Sequence, residues 1–294
     1  MNNVSVVEAI KFGYDKSKKH FLFFVSTFIV SGLVWFGCFL LSGLVVAPFF
    51  IPAANVVKKI VAIFQASGIG EQAQMAFMGA LVQVADLISK SPWSFTLAVI
   101  GILVFIALIW AFTMMVSFGV IKIFLDIYDK GSSTLANLFV RPIYIFRLFI
   151  FSILIFFVVV APFVLPALAY KFSSVLALIF LLPAIIVSTY FVLKFFYSSY
   201  FIIDKGLGPI EAMKRSWGLR GAPVKLLLFW MLLVVLAIFL GIPAQLLVLL
   251  NSQAPHMVWG ILLIIFNLVI RYFLGVITLM GYVYLYRRLS SPSV

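Results

Sequence analysis

Apolar residues fall in six long runs, roughly 21–48, 94–122, 147–169, 173–201, 224–250 and 257–285. A helix rises about 1.5 Å per residue, so about 20 apolar residues cross a hydrocarbon core of about 30 Å. Every run meets that length. Several exceed it, which predicts tilted, kinked or protruding helices rather than extra spans. Backbone in lipid must satisfy its own hydrogen bonds, so the runs are predicted to be helices. The two-residue alternation of a β-barrel strand is absent. The first run, Phe21 to Val46, exceeds a signal-peptide core of about 7–15 residues and ends without an A-x-A site. It reads as an uncleaved span. The predicted fold class is all-α: a polytopic integral membrane protein with six transmembrane helices, forming a single membrane domain over 1–294.

The polar stretches between the runs carry a helical pattern of their own. Ser5 with Glu8 three residues later reads as a capping box. Val6, Val7, Ile10 and Tyr14 share one face of the helix that follows, with Glu8, Lys11, Asp15, Lys18 and Lys19 off it. A second short helix starts at Pro209, with Glu211 in its first turn and Ile210, Met213 and Trp217 along one side. Gly218 and Gly221 suit its end, and Pro223 the start of the next helix. Both are predicted to be short interfacial amphipathic helices. Tyr14, Lys18, Lys19, Lys214, Arg215 and Trp217 would anchor them near anionic lipid phosphates. One reading is lipid sensing or recruitment of a partner; the other is an elbow holding the inner ends of the spans. The outer loop, about 50–93, holds two further stripes: Val56, Val57, Ile60 and Phe64, then Met75, Met78, Val82, Ala85 and Ile88. It would cap the bundle, lie on the outer leaflet or bind a protein partner.

Segments of the chain repeat. Residues 45–53 read VVAPFFIPA and 159–167 read VVAPFVLPA, with a weaker echo at Gly241-Ile242-Pro243-Ala244. YDKG at 128–131 is matched by IDKG at 203–206, and Glu8-Ala9-Ile10-Lys11 by Glu211-Ala212-Met213-Lys214. Ser132 to Val140 is a looser copy of the latter. The pattern predicts three hairpin repeats, roughly 5–130, 131–206 and 207–288. Two spans per unit preserve orientation, so the units would be parallel about an axis along the membrane normal.

Composition narrows the class. Sixty-five per cent of the 294 residues are apolar and 10% are charged, against about 45–50% and 25% in soluble domains. A soluble fold would lack the polar surface to cover such a core. The net charge of +13 comes in short groups beside the runs, a topology signal rather than a nucleic-acid face. With the N-terminus inside, the cytoplasmic stretches hold fifteen of the 21 Lys and Arg. The other face holds Lys58, Lys59, Lys90 and Lys171, while Lys194 and Arg271 fall within spans. Both termini are therefore predicted to be cytoplasmic. Cys38 is the single cysteine, which excludes an internal disulfide and a Cys-based metal site.

Enzyme signatures are missing. His20 and His256 fall at opposite faces, and no H-E-x-x-H, G-x-S-x-G or Walker A sequence occurs. Asp129 and Asp204 offer a carboxylate pair for a metal, but D-K-G reads better as a helix-end turn with local charge pairs. No metal site and no cofactor is predicted. The two intramembrane cations have no buried acid to meet. Arg271, four residues from Asn267 on one helix face, sits near the middle of the sixth run. A charge at that depth costs at least about 2.5–3.5 kcal/mol on insertion scales and tends to mark function. Arg271, Asn267 and Lys194 are the candidate ligand-binding residues, for an anion or lipid phosphate. The alternative is an arginine bridging carbonyls at a helix break, with Lys194 snorkelling to the cytoplasm.

EAIKFGYDKSKKHF before the first run, DKGLGPIEAMKRSWGLRG before the fifth and the ending YVYLYRRLS resemble the membrane domain fused to some glycerophosphodiester phosphodiesterases and its stand-alone bacterial relatives. The resemblance implies a six-helix protein of the bacterial cytoplasmic (inner) membrane. The catalytic phosphodiesterase domain has no counterpart here. The expected function is therefore non-enzymatic: a membrane protein that binds or helps translocate an anionic or lipid-like molecule. The alternative is a structural or accessory subunit docking a partner through its outer loop and interfacial helices. A membrane enzyme acting on lipid is a third reading.

Overall fold

The computed structural model describes residues 5–51, 89–253 and 257–291, with isolated positions between 52 and 88. The described chain is all-helical. Its α-helices are α1 (Val6–Lys19), α2 (Phe21–Phe50), α3 (Pro92–Lys130), α4 (Pro142–Val160), α5 (Val164–Tyr170), α6 (Ser174–Phe195), α7 (Ser198–Lys205), α8 (Pro209–Gly218), α9 (Ala222–Gln253) and α10 (Met257–Ser290). Single 3₁₀ turns cover Leu135–Leu138 and Ala161–Phe163. Six helical stretches are long and apolar enough to cross a membrane: Phe21–Phe50, Pro92–Lys130, Leu135–Tyr170, Ser174–Lys205, Ala222–Leu249 and Val258–Ser290. Only 6–11% of their most apolar windows is buried within the chain. Soluble proteins do not expose apolar surface on that scale, whereas lipid accepts it without cost. This is the architecture of a multi-pass membrane protein.

The chain divides into two compact units. The smaller, residues 32–114, is formed by parts of α2 and α3 running antiparallel. Trp35 Nε1 donates to Thr113 Oγ1 at 3.1 Å, and Phe39 meets Phe105 edge-on at 5.6 Å. The outer-loop stripes fall almost wholly outside the described residues; Val82 is described and exposed.

The larger unit, residues 5–31 and 115–291, keeps its core at one end of its helices. Ile123, Phe124, Ile127, Leu138, Leu148, Tyr197, Ile202, Leu226, Phe229, Met280, Leu285 and Tyr286 are buried there. Away from that end, Val175 to Val187 of α6 and Val258 to Val269 of α10 expose most of their large apolar side chains.

Three sets of positions recur in this unit at the same intervals, 75 residues and then 83. Ile127, Ile202 and Leu285 are fully buried. Asp129 and Asp204 both accept hydrogen bonds from Arg287. Gly119, Lys194 and Ile277 each meet a short polar-side segment. A Cβ on Gly119 would collide with the Leu138 backbone, and one on Gly13 of α1 would lie 2.8 Å from Ile277 Cα. Lys194 O accepts from Ser216 Oγ of α8 at 2.7 Å.

The short helices form for local reasons. Ser5 Oγ accepts from the Glu8 N–H at 3.3 Å and caps α1. The other half of the expected capping box is not made: Glu8 Oε2 instead accepts from Tyr284 OH at 2.8 Å. Pro209 opens α8 with its fixed φ, and Leu219 N–H closes it on Ser216 O. The D-K-G glycines Gly131 and Gly206 have φ of +75° and +64°, the left-handed conformation that ends a helix.

Candidate functional site

Arg271 is exposed on α10 beside an apolar cavity of about 520 Å³. Phe21, Val25 and Phe28 of α2 form one wall; Leu268, Tyr272 and Gly275 of α10 form the other. Among the described residues the guanidinium makes no hydrogen bond and no ion pair. Its level is set by its neighbour. Tyr272 OH donates towards Ser17 O and Phe21 O at 3.4 and 3.3 Å, and its ring meets Phe21 edge-on at 5.0 Å. Arg271 therefore stands beside the corner between α1 and α2, although it is central in α10 by residue count. The reason is the length of α10. Its last third runs antiparallel to the polar helix α1, from Ile277 at Gly13 to Tyr284 at Glu8.

The other two candidate ligand-binding residues each bond a backbone carbonyl. The Asn267 side-chain amide donates to Leu263 O of its own helix at 2.9 Å. Lys194 lies on α6, where Nζ donates to Trp217 O at 3.0 Å and stands 5.2 Å from the Trp217 ring centre. A lysine on the last carbonyls of α8 satisfies groups that the helix itself leaves open. Ser188 of α6 donates to Val159 O at 2.8 Å.

The anchor residues line the outer faces of α1 and α8. Lys18 stacks on Tyr14 at 4.3 Å from the ring centre. Trp217 packs against Phe195 at 5.4 Å. Arg215 reaches Glu211 at 3.9 Å, an exposed pair worth little. Lys19 and Lys214 are exposed. Burial, then Lys16 and Lys19, lowers the pKa of His20 at the α1–α2 corner, and its Nε2 is buried with no hydrogen-bond partner among the described residues.

One cluster escapes a reading by local motif. Arg287 is bidentate on Asp204, with Nη1 at 2.6 Å from Oδ2 and Nη2 at 2.8 Å from Oδ1, and Nη2 also donates to Asp129. Tyr286 OH donates to Asp204 Oδ2 at 2.9 Å. The carboxylates of both D-K-G turns thus pair with one arginine far away in sequence. Lys130 pairs with Asp126 instead, at 2.7 Å. A sequence signal exists in the spacing: Arg287 of YRRL lies 83 residues after Asp204 of IDKG, which lies 75 after Asp129 of YDKG. No group of three or more metal-ligating side chains occurs among the described residues. No protein-family model, curated protein or solved structure matches the chain.

Proposed function

We propose that the chain is a non-enzymatic membrane protein that binds an anionic, lipid-like molecule in the crevice beside Arg271. The carrying observation is the pairing of a guanidinium without a protein partner, among the described residues, with an apolar cavity of about 520 Å³. An anionic amphiphile satisfies both: its headgroup meets the charge and its chain fills the cavity. The cavity falls in the range of about 300–1,000 Å³ usual for small-molecule sites. The polar α1–α2 corner beside Arg271 supports a headgroup-level position, which lowers the cost of its charge.

We further infer three hairpin repeats, with both termini cytoplasmic. The recurrence at 75 and 83 residues supports the repeat, and the basic loops support the orientation. The likeness of the segments before the first and fifth spans to the glycerophosphodiester phosphodiesterase membrane domain supports a bacterial cytoplasmic membrane location.

The test is retention of phosphatidylglycerol by the protein in mixed phosphatidylcholine–phosphatidylglycerol nanodiscs. A charged hydrogen bond is worth about 1.5–3 kcal/mol, so Arg271→Leu should weaken retention about ten-fold or more. Arg271→Lys should lose less, having the charge but not the fork. Wild-type retention together with raised thermal stability in Arg271→Leu would overturn the site.

A further inference from the structure

The outer faces of α1 and α8 carry side chains of the same kinds at corresponding places. Val7, Ile10, Lys11 and Tyr14 line a cavity of about 540 Å³. Ile210, Met213, Lys214 and Trp217 line one of about 400 Å³. The two sets correspond position by position: two apolar residues, a lysine and an amphipathic aromatic. Their packed faces correspond as well. Ala9 and Ala212 are fully buried, and Gly13 and Ser216 hold the two helices to Ile277 and Lys194. The far wall differs in sequence but not in kind. Leu236, Leu240 and Phe273 close the first cavity; Leu154 and Phe195 close the second.

Charge is arranged alike. Lys11 and Lys214 are exposed at the rims and make no hydrogen bond or ion pair among the described residues. Each aromatic carries a second cation on its ring, Lys18 on Tyr14 and Lys194 on Trp217. Of the acids on these helices, Glu8 accepts from Tyr284, while Glu211 is exposed within 3.9 Å of Arg215 on its own helix. Asp15 stays exposed beside Tyr14.

We propose that these crevices are two equivalent lipid seats, each holding one anionic phospholipid of the cytoplasmic leaflet. An acyl chain lies along the apolar wall, and the phosphate lies at Lys11 or Lys214. Bare apolar crevices would serve any chain. The rim lysine and the stacked cation select an anionic headgroup. A packing helix alone does not require an unpaired lysine at the same register in both copies. The assignment to the cytoplasmic leaflet rests on the orientation proposed above; the seats themselves do not depend on Arg271.

Native mass spectrometry from mixed phosphatidylcholine–phosphatidylglycerol nanodiscs tests this. Lys11→Gln and Lys214→Gln should each weaken retention of one phosphatidylglycerol about five-fold, since a lysine near an anionic surface contributes about 1 kcal/mol. The double variant should weaken two. Lys→Arg at either position should retain both lipids. Arg271→Leu should leave these two lipids in place, which separates this outcome from failure at the Arg271 crevice. Unaltered thermal melts show that each lysine variant is folded. Four results would overturn the proposal: wild-type retention in the double variant, an effect at one crevice only, equal retention of phosphatidylcholine, or displacement of the lipid by inorganic phosphate.

Discussion

Gly119 shows how a single side-chain hydrogen decides packing. A Cβ there meets the O, C and Cα of Leu138, all backbone atoms that cannot turn aside. Gly119→Ala should therefore lower stability in detergent by about 1–3 kcal/mol, the usual cost of overpacking. Gly43 is the control, because nothing lies within 4 Å of its added Cβ. Gly43→Ala should change the melt by less than about 0.5 kcal/mol. Equal effects of the two substitutions, read by thermal unfolding, would remove the close approach as an explanation. The same scale explains Arg271. Its sequence position suggested mid-membrane depth, while the Tyr272 hydroxyl sets it level with the Ser17 and Phe21 carbonyls. Hydropathy counts residues from the ends of a run; it does not register that a polar helix accompanies the last third of α10.

Helices α1 and α8 are the elements whose amphipathic pattern was most legible. Capping, proline and glycine signals are local, and a local signal survives folding. What those helices lie against was not legible, because Ile277 and Lys194 are distant in sequence and carry no mark of contact. The corner between α1 and α2 adds a pH dependence. Burial, followed by repulsion from Lys16 and Lys19, holds the His20 pKa below its ordinary value of 6.5. Below about pH 6.5 the unfolded chain thus binds more protons at this site than the folded chain. The stability contributed by neutral His20 is present above that pH and is lost as pH falls towards the folded pKa. Thermal melts should drop between pH 7.5 and 5.5 in the wild type, and His20→Gln should flatten that drop. An unchanged slope in the variant would assign the dependence to another group.

Across the larger unit, Arg287 ties two distant turns together. Its side chain and that of Asp204 are 20% and 16% exposed, whereas that of Asp129 is 39% exposed. Removing one member of a largely buried pair strands the other and costs about 3–5 kcal/mol. Arg287→Met should therefore destabilise strongly, because it strands Asp204. Asp129→Asn should cost about 1 kcal/mol or less, as exposed pairs do. Adding Asp204→Asn to Arg287→Met should recover part of the loss. Purely additive effects in this double-mutant cycle would show that the groups act independently.

Composition and periodicity alone determined the all-helical membrane class, the six apolar helices and the short amphipathic helices. These follow from chain length against bilayer thickness and from the 3.6-residue period, both of which act within one segment. The tertiary structure decided what lies between segments. It paired Asp129 and Asp204 with Arg287 rather than with the lysines beside them. It turned the Lys194 ammonium to Trp217 O and the Asn267 amide to Leu263 O, and it gave α1 and α8 matching cavities. The physical reason is range. A guanidinium bonds whatever carboxylate the fold brings within about 3 Å, and a cavity exists only where two surfaces that are remote in sequence fail to meet.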